Sequence, residues 1–326
     1  MLGLLGLFGA LMASVVADAD HGGDDDDKDE DAAPEGASAS DTADDGDAPP
    51  ADLLDWTDPS VPPVEGSEIA GNARDNILDG TAGGDSMSGA RGDDQMNGRA
   101  GDDSLSGGAG VDRLFGDDGD DTMTGNLGAD LLSGGDGNDS LAGAGGADEL
   151  LGGAGDDRLA GAEGADTLCG NAGDDTLSGG GGDDWLAGNE GDDHLTGGAG
   201  GDTLDGNDGN DHLDSGQDDA VDFLNGGNGN DHLTLGAGDY GNGGAGEDSF
   251  SVTADAPDTE STALPQVTDF DAAEDRLVVV YDADAHPDPT LTLEPGDGGA
   301  TLMLDGLPVA VVQGHLTLDA VSLLAA

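Results

Sequence analysis

Apolar residues recur at a fixed interval of nine between Gly71 and Asp214. This stretch contains sixteen consecutive units, and the eighth position of every unit is Leu or Met. The first position is always glycine. The fourth is glycine and the sixth is aspartate in every unit but the first, where Arg74 and Asn76 stand instead. A typical unit, Gly134 to Ala142, reads Gly-Gly-Asp-Gly-Asn-Asp-Ser-Leu-Ala. Three residue types held at three fixed phases indicate a repeated structural unit rather than low-complexity sequence.

Each unit divides into a turn and a very short strand. Glycine at the first and fourth positions, with Gly, Asn or Ala common at the second, permits positive φ and close backbone approach over six residues. The other three, such as His194-Leu195-Thr196, make a strand whose middle side chain faces away from its two neighbours. Burial of one Leu contributes about 2 kcal/mol, which cannot order nine residues alone. The pattern therefore predicts stacked units that share a Leu-lined core over residues 71–251.

The repeat loosens after Asp214 and ends near Ser251. Residues 215–225 form an eleven-residue unit, and residues 235–242 form an eight-residue unit. Residues 252–326 predict a small β-rich C-terminal cap. The strands expected there cover 276–281, 290–293, 300–304 and, after the Asp305-Gly306 turn, 307–312.

Two segments of different character precede the array. Residues 1–19 are an apolar segment with no charged side chain before Asp18. It is short for a membrane span and is similar to the apolar part of a signal peptide, so a signal, a short anchor and neither of these stay open. Residues 20–68 are acidic, rich in Ala, Asp and Pro and without periodicity, which predicts a disordered linker.

The charge of the chain changes this picture. Its 73 acidic residues against seven Lys and Arg give a formal net charge of −66, and only 3% of the residues are aromatic. Such a composition predicts disorder unless a multivalent cation cancels the repulsion among the carboxylates. Nucleic acid and anionic membrane surfaces are disfavoured as partners because the chain would repel both, so no nucleic-acid partner is expected.

The cysteine and the isolated histidines outside the turns are not predicted to form a reactive site. Cys169 has no partner for an intramolecular disulfide and occupies a ninth position where Ala, Ser and Thr also occur. It is therefore interpreted as a small strand residue rather than a reactive thiol. His21, His286 and His315 are isolated in the sequence and are predicted to lie on the surface.

The sixth-position aspartates predict metal binding. Stacking of the units places these carboxylates in rows along the turns, where they repel one another unless a cation lies between them. A hard divalent cation with flexible, all-oxygen coordination suits carboxylates and carbonyls, which favours Ca²⁺ over Mg²⁺. Zinc would require His or Cys, which the turns lack.

The unit resembles the glycine-rich nonapeptide of RTX proteins, the hemolysin-type calcium-binding repeat. The resemblance implies an all-β fold, a right-handed parallel β-roll in which two units make one 18-residue coil. It also implies that Ca²⁺ lies between successive turns, held by sixth-position carboxylates and turn carbonyls. The first turn, with Arg74 and Asn76, and the inserted turn around Asp222 depart from the pattern. At the matching positions the implied ligands are Asp85, Asp94, Asp103, Asp112, Asp121, Asp130, Asp139, Asp148, Asp157, Asp166, Asp175, Asp184, Asp193, Asp202, Asp211, Asp231 and Asp248.

Coils of 18 residues predict that the two edges of the roll differ. Units alternate between the edges, so the fifth position is acidic or Asn along one edge and mostly Val or Ala along the middle of the other. We expect the acidic edge to bind calcium more tightly. The fifth positions of the acidic edge are Asp102, Asp120, Asn138, Asp156, Asp174, Asp192 and Asn210, and those of the other are Val111, Ala129, Ala147 and Ala165.

Three histidines share one phase of the repeat. His194, His212 and His232 occupy the seventh position of successive coils and should stack about 4.8 Å apart on an outer face. Such a ladder offers transition-metal binding or a pH response, but solvated strand residues are the favoured interpretation.

The resemblance implies a function as well as a fold. RTX proteins are typically exported unfolded by type I secretion machinery, guided by a C-terminal signal, and residues 252–326 are similar to such regions. The tail ends Leu-Leu-Ala-Ala, without the acidic residue that some members carry there. We therefore expect a calcium-binding extracellular protein that folds on binding Ca²⁺ outside the cell.

Other functions stay open at this point. No His-Glu-x-x-His or Gly-x-Ser-x-Gly sequence is present, so the chain is not expected to be an enzyme. A cell-surface adhesin or surface-layer component would use the roll as a spacer and contact the cell surface or polysaccharide. An accessory domain of an enzyme would have its catalytic part on another chain.

Overall fold

A computed structural model of the protein describes residues 66–216, 218–254, 263–296 and 298–326. All of these residues belong to one compact unit, Asp58–Ala326. The apolar segment at residues 1–19 and nearly all of the predicted linker at residues 20–68 lie outside the described residues. In the described residues, no helix is long and apolar enough to cross a membrane.

The regular secondary structure of the described residues is short strands joined by turns, with one 3₁₀ helix at Leu318–Ala320. The strands are β1 (Glu68–Ala70), β2 (Ile77–Asp79), β3 (Ser86–Arg91), β4 (Gln95–Ala100), β5 (Ser104–Ala109), β6 (Arg113–Asp118), β7 (Thr122–Leu127), β8 (Leu131–Asp136), β9 (Ser140–Gly145), β10 (Glu149–Ala154), β11 (Arg158–Glu163), β12 (Thr167–Ala172), β13 (Thr176–Gly181), β14 (Trp185–Glu190), β15 (His194–Ala199), β16 (Thr203–Asp208), β17 (His212–Asp214), β18 (Phe223–Asn228), β19 (His232–Leu235), β20 (Tyr240–Ala245), β21 (Ser249–Ala254), β22 (Gln266–Asp271), β23 (Arg276–Tyr281), β24 (Leu291–Gly296), β25 (Gly299–Leu304), β26 (Leu307–His315) and β27 (Val321–Ala325).

Successive strands alternate between two sheets. The first sheet has 13 strands, the odd-numbered strands β1 to β23 followed by β27. The second has 14 strands, the even-numbered strands β2 to β22 followed by β26, β25 and β24. Parallel pairing sets Leu141 opposite Leu159 in the first sheet and Leu150 opposite Leu168 in the second. One coil therefore contains two nine-residue units, and the predicted all-β parallel β-roll is confirmed.

The core is a double row of eighth-position side chains. From Met87 to Leu233 every one of these Leu and Met residues is 0–2% exposed. Each strand contributes one buried large side chain, so no strand can be stable without the coils on either side of it. The core is therefore continuous along the roll, and it passes at its C-terminal end into Phe250, Val267 and Leu277.

The turns explain the glycine of the fourth position. Gly137, for example, has a φ of 139°, and a Cβ added to it would clash with the carbonyl of Gly119 in the preceding coil. Residues at the second position also have positive φ, and there non-glycine residues such as Asn126 (φ 79°) and Ala144 (φ 81°) adopt the left-handed conformation. The turn therefore requires glycine at the fourth position, where a carbonyl of the preceding coil lies too close for any side chain.

The two irregular units are absorbed without a break in either sheet. Pairing across the eleven-residue unit sets Thr203 opposite Phe223, and pairing across the eight-residue unit sets Phe223 opposite Tyr240. In the shorter unit Gly241 stands at the core position, and Leu235 fills the space. A Cβ added at Gly241 would lie 2.8 Å from Leu235 Cδ1. The core side chain that Gly241 lacks is thus replaced by Leu235, which does not occupy an eighth position.

Residues after 252 extend the roll before they leave it. Strand β23 pairs in parallel with β21 and β27, and β22 pairs with β20 and β26, so both sheets continue past the last repeat. Strands β24, β25 and β26 then form an antiparallel meander at the edge of the second sheet. Asp305 and Gly306 have positive φ at the β25–β26 turn, as expected of a tight hairpin.

Candidate metal sites along the turns

The sixth-position aspartates form two unbroken ladders, one along each edge of the roll. In each ladder the Oδ1 of one aspartate accepts a hydrogen bond from the backbone N–H of the corresponding residue one coil earlier. Asp139 N donates to Asp157 Oδ1 at 2.7 Å, and Asp148 N donates to Asp166 Oδ1 at 2.8 Å. All seventeen aspartates named from the sequence occupy these ladders, and each is 0–3% exposed. The carboxylates thus tie successive coils together.

The ladders include three aspartates that were not among those seventeen. Asp222, which lies in the inserted turn, accepts the N–H of Asp202 at 2.8 Å. Asp239 and Asp275 receive the N–H groups of Asp222 and Asp248, each at 3.1 Å, and complete the two ladders. The signal in the sequence is an aspartate two residues before a core position, as in Asp222-Phe-Leu and Asp275-Arg-Leu. Insertions between the repeats obscured that signal because the count of nine no longer applied.

The second carboxylate oxygen has no protein partner. In fifteen of the seventeen aspartates Oδ2 is fully buried and accepts no hydrogen bond. The exceptions are Asp85, whose Oδ2 accepts the N–H of Thr81 at 2.6 Å, and Asp248. Buried oxygens without a partner are rare in folded proteins because desolvation without a compensating bond is unfavourable. A row of such oxygens at one phase indicates a ligand.

The first-position glycine shapes the space beside each of these oxygens. A Cβ added at Gly134 would clash with Asp139 Oδ2 and lie 2.6 Å from the carbonyl oxygen of Gly152 in the next coil. Gly152 repeats the arrangement with Asp157 Oδ2 and the carbonyl of Gly170, the latter at 2.7 Å. A carboxylate oxygen and a backbone carbonyl therefore converge where a side chain is missing, which is a donor set that suits a hard cation.

The other ligands would have to come from the backbone. In the part of the chain that the structure describes, no three His, Cys, Asp or Glu side chains are grouped in a way that could hold a metal ion. Each coil offers one buried carboxylate per edge together with turn carbonyls. Mixed coordination of this kind fits Ca²⁺ and disfavours zinc, which needs several side-chain nitrogen or sulfur ligands.

Burial raises the pKa of many of these carboxyl groups. The backbone hydrogen bond onto Oδ1 opposes the rise, and neighbouring carboxylates add to it. The pKa reaches about 7 for Asp121, Asp157, Asp193, Asp222 and Asp231, and about 6 for Asp130, Asp175, Asp184 and Asp211. Without a cation, the carboxyl groups whose pKa is about 7 take up protons as the pH falls through neutrality.

The two edges differ at the fifth position, in line with the sequence. On the acidic edge each fifth-position carboxylate or carboxamide accepts the N–H of its successor one coil later, as Asp156 does from Asp174 at 3.1 Å. This row continues through Asn210 and Asn230 to Glu247. On the other edge such a row runs from Asp75 to Asp93, stops at Val111 and is resumed only at Asp183, so the middle coils lack it. The acidic edge therefore carries a second ladder of oxygen atoms close to the first, and its tighter calcium binding stays a prediction.

The three histidines stack as the repeat predicted. The ring centroids of His194 and His212 are 4.6 Å apart, those of His212 and His232 are 4.9 Å apart, and the rings are parallel within 4°. Burial lowers the pKa of His212 and His232, and for His212 the neighbouring imidazoles lower it further. The histidine ladder lies on the outer face of the first sheet, where each histidine directly follows a ladder aspartate, as His194 follows Asp193.

Cys169 and His286 occupy different environments from each other. Cys169 lies in β12 between Leu151 and Ala187, and burial raises the pKa of its thiol.

The prediction that His286 lies on the surface is wrong. It is 7% exposed, and its Nδ1 lies 2.8 Å from Asp305 Oδ2. Folding of the C-terminal meander, which the isolated histidine could not reveal, brings the two together.

Comparison with known families agrees with this geometry. The family model of the RTX calcium-binding nonapeptide repeat, which spans four copies, matches nine overlapping segments that together cover residues 70–250. These segments are 70–105, 97–132, 106–141, 133–168, 142–177, 160–195, 170–204, 187–221 and 218–250. No individual curated protein matches the chain. The matched region coincides with the coils whose turns carry the aspartate ladders.

Proposed function

The chain belongs to the family of proteins with RTX calcium-binding nonapeptide repeats, and on that premise we propose that it is a secreted protein whose roll folds on binding Ca²⁺ outside the cell. The observation that carries the proposal is the row of buried Oδ2 atoms without a protein partner. Each of them lies beside a first-position glycine, and in ten of the fifteen a carbonyl oxygen of the next coil adjoins the same space.

The carboxylate ladders make the fold conditional. Neighbouring carboxylates in a ladder are about one coil apart, roughly 4.8 Å. At that distance two charges repel by roughly 3 kcal/mol at an effective dielectric constant of 20. Protonation or a cation must offset this repulsion in every coil. Calcium supplies positive charge and oxygen coordination when bound, and its binding free energy then becomes folding free energy.

The repulsion among the carboxylates also bears on where the protein would fold. At the low free calcium of a cytosol the array stays open, and at millimolar external calcium it closes. An open chain suits export by type I secretion machinery, with residues 252–326 as the region that would hold the signal. RTX repeat proteins are typically secreted, which supports this proposal. We propose a non-catalytic role, since the buried carboxylates belong to the repeating ladders.

Small-angle scattering with calorimetry tests the proposal. We expect the full chain to contract when calcium is added to a chelator-treated sample, and the contraction to track the heat of calcium binding. Magnesium at the same concentration should produce little contraction, because it demands a more rigid octahedral shell. Calcium binding without any change in dimensions would overturn the coupling between binding and folding.

A further inference from the structure

An open groove runs along the outer face of the second sheet near its C-terminal end. Its volume is about 420 Å³, a size typical of small-ligand sites. The floor is the backbone at Leu204, Leu224 and Gly241, whose side chains point inward or are absent. Two parallel columns of outward side chains, at the seventh and ninth positions of β16, β18 and β20, make its walls.

One wall is aromatic. Phe223 and Tyr240 stack at a centroid distance of 5.2 Å, and Phe223 is 52% exposed. Because one face of Phe223 lies against Tyr240, its other face is directed toward Thr203, its neighbour across the sheet. Trp185, 44% exposed, lies one coil beyond Thr203 in the same column. The two large rings therefore flank a small residue, which leaves open space between them.

These aromatic residues have no role in the core. The repeat region contains five aromatic residues, of which Phe250 is buried and Phe115 lies far away on β6. The other three, Trp185, Phe223 and Tyr240, share a single column. Elsewhere this column carries residues such as Arg113 and Glu149, as expected of a solvated face. Exposed aromatic residues gathered in this way indicate a binding surface.

The opposite wall is polar. It consists of Asp205, Asn225, Asn242 and Thr268. Asn225 Nδ2 donates to Asp205 Oδ1 at 2.8 Å, which orients that amide, and Thr268 Oγ1 donates to the carbonyl of Gly241 at 3.1 Å. The carboxamide of Asn242 makes no hydrogen bond with any other described residue, so its donor and acceptor atoms remain available to a ligand.

The irregular units build the groove. Phe223 follows directly after the inserted residues of the eleven-residue unit, and Tyr240 lies within the eight-residue unit. The absence of a side chain at Gly241, compensated inside the roll by Leu235, keeps the floor low. The regular coils of this sheet carry other residues at these positions, such as Arg113 and Glu149 at the seventh and Leu151 and Ala187 at the ninth.

Charge narrows the choice of ligand. The groove lining contains no Lys, Arg or His, and Asp205 is its only charged residue. The whole chain carries a formal charge of −66, so a polyanion would be repelled. The ligand should offer an apolar face to the rings and hydroxyl groups to the amides, and should repeat along the axis as the coils do. Sugar rings have both properties.

We propose that this groove binds a neutral polysaccharide through its hexopyranose rings. The C–H face of a sugar stacks on Phe223 or Trp185, and its hydroxyl groups bond to Asn225, Asn242 and Asp205. The inference rests on the calcium-folded state of the proposed function, because four coils must be stacked to form both walls. It adds a ligand class and a site to that function.

The test is titration of the calcium-loaded full chain with neutral oligosaccharides of glucose, mannose and galactose, and with a polyuronate as the anionic comparison. The chain has two tryptophans, so Trp56→Phe leaves Trp185 as the only tryptophan reporter. We expect saturable binding of at least one neutral series, detected by Trp185 fluorescence and by calorimetry. The double variant Phe223→Ala with Tyr240→Ala should weaken its affinity by about tenfold or more.

Phe115→Ala is the matched control, since it removes an outward aromatic residue of the same sheet six coils away. It should leave glycan affinity unchanged. Binding of no neutral series at millimolar concentration would overturn the proposal. So would equal losses in the control and the double variant, or preferential binding of the polyuronate. Calcium-dependent folding is checked by circular dichroism before any glycan is added, so its failure is seen separately.

Discussion

At the scale of single residues, one glycine and one aspartate define each candidate site. Oδ1 of the aspartate is used in the ladder, and Oδ2 points into the space that the glycine leaves empty. This division explains why both positions are so uniform in the sequence. The glycine is needed for the oxygen beside it, since the first position does not itself require positive φ.

Substitution of a first-position glycine should therefore damage calcium binding directly. In Gly134→Ala the new methyl would clash with Asp139 Oδ2 and approach the carbonyl of Gly152 to 2.6 Å. We expect a higher calcium concentration at the folding midpoint and a loss of about 1–3 kcal/mol in stability. Gly145→Ala is the control. Its methyl would meet only ordinary contacts, at 3.6 Å from Asn126 O and 3.8 Å from Leu127 Cδ2. Equal calcium midpoints of folding for the two variants would contradict the role of the space beside the first-position glycine.

The raised pKa values make the calcium-free roll sensitive to pH. Asp157 and Asp193 have a pKa of about 7 in the fold, against about 3.9 for an unfolded aspartate. The folded state thus binds more protons between these values. The contribution of these groups to the stability of the metal-free roll is fully present below about pH 4 and is lost as the pH rises through about 7.

Circular dichroism in chelator checks this prediction. The β signal should be larger at about pH 5 than at about pH 8. In calcium the dependence should reverse, because the bound ion needs ionised carboxylates and its affinity falls in acid. A calcium-free signal that increased with pH would contradict the account.

At the scale of elements, each strand depends on one core side chain. Leu150→Ala should cost about 2–5 kcal/mol, because its side chain is 0% exposed and packs only within the roll. Leu151→Ala, one residue later on the outer face, should cost much less and serves as the control. Calcium-loaded denaturant unfolding measures both. Similar losses for the two variants would show that the core is not confined to the double row of eighth-position side chains.

The repeat predicted the order of the regular strands but not their length, which is six residues instead of three because each strand continues into the next unit. It predicted the irregular units poorly. The resemblance to the RTX nonapeptide supplied the 18-residue coil, from which the alternation between sheets and the stacking of the histidines follow. Periodicity alone placed the core positions, because these depend only on a fixed count along the chain. It could not place Asp239 or Asp275, or the replacement of a core leucine by Leu235 above Gly241. Those features arise where the count changes and three-dimensional packing compensates. The pairing of His286 with Asp305 likewise depends on the meander.

At the scale of the whole molecule, two ladders and one core run through every coil. A roll of this kind is held by nearest-neighbour contacts, so folding can begin at one coil and spread along the axis. The sheets continue beyond the last repeat through β22, β23 and β27, and the ladder of the first sheet ends at Asp275, directly before β23. The groove of Phe223 and Tyr240 then lies near that end, on a face that exists only when the coils are stacked.

Calcium binding and folding of the roll form a single coupled equilibrium in this account. Far-ultraviolet circular dichroism of the full chain, recorded in chelator and then in millimolar calcium at neutral pH, tests it most directly. We expect a spectrum with little β signal in chelator, a strong β-sheet spectrum in calcium, and a return to the first when chelator is restored. A β-sheet spectrum that persisted unchanged in chelator would contradict the account.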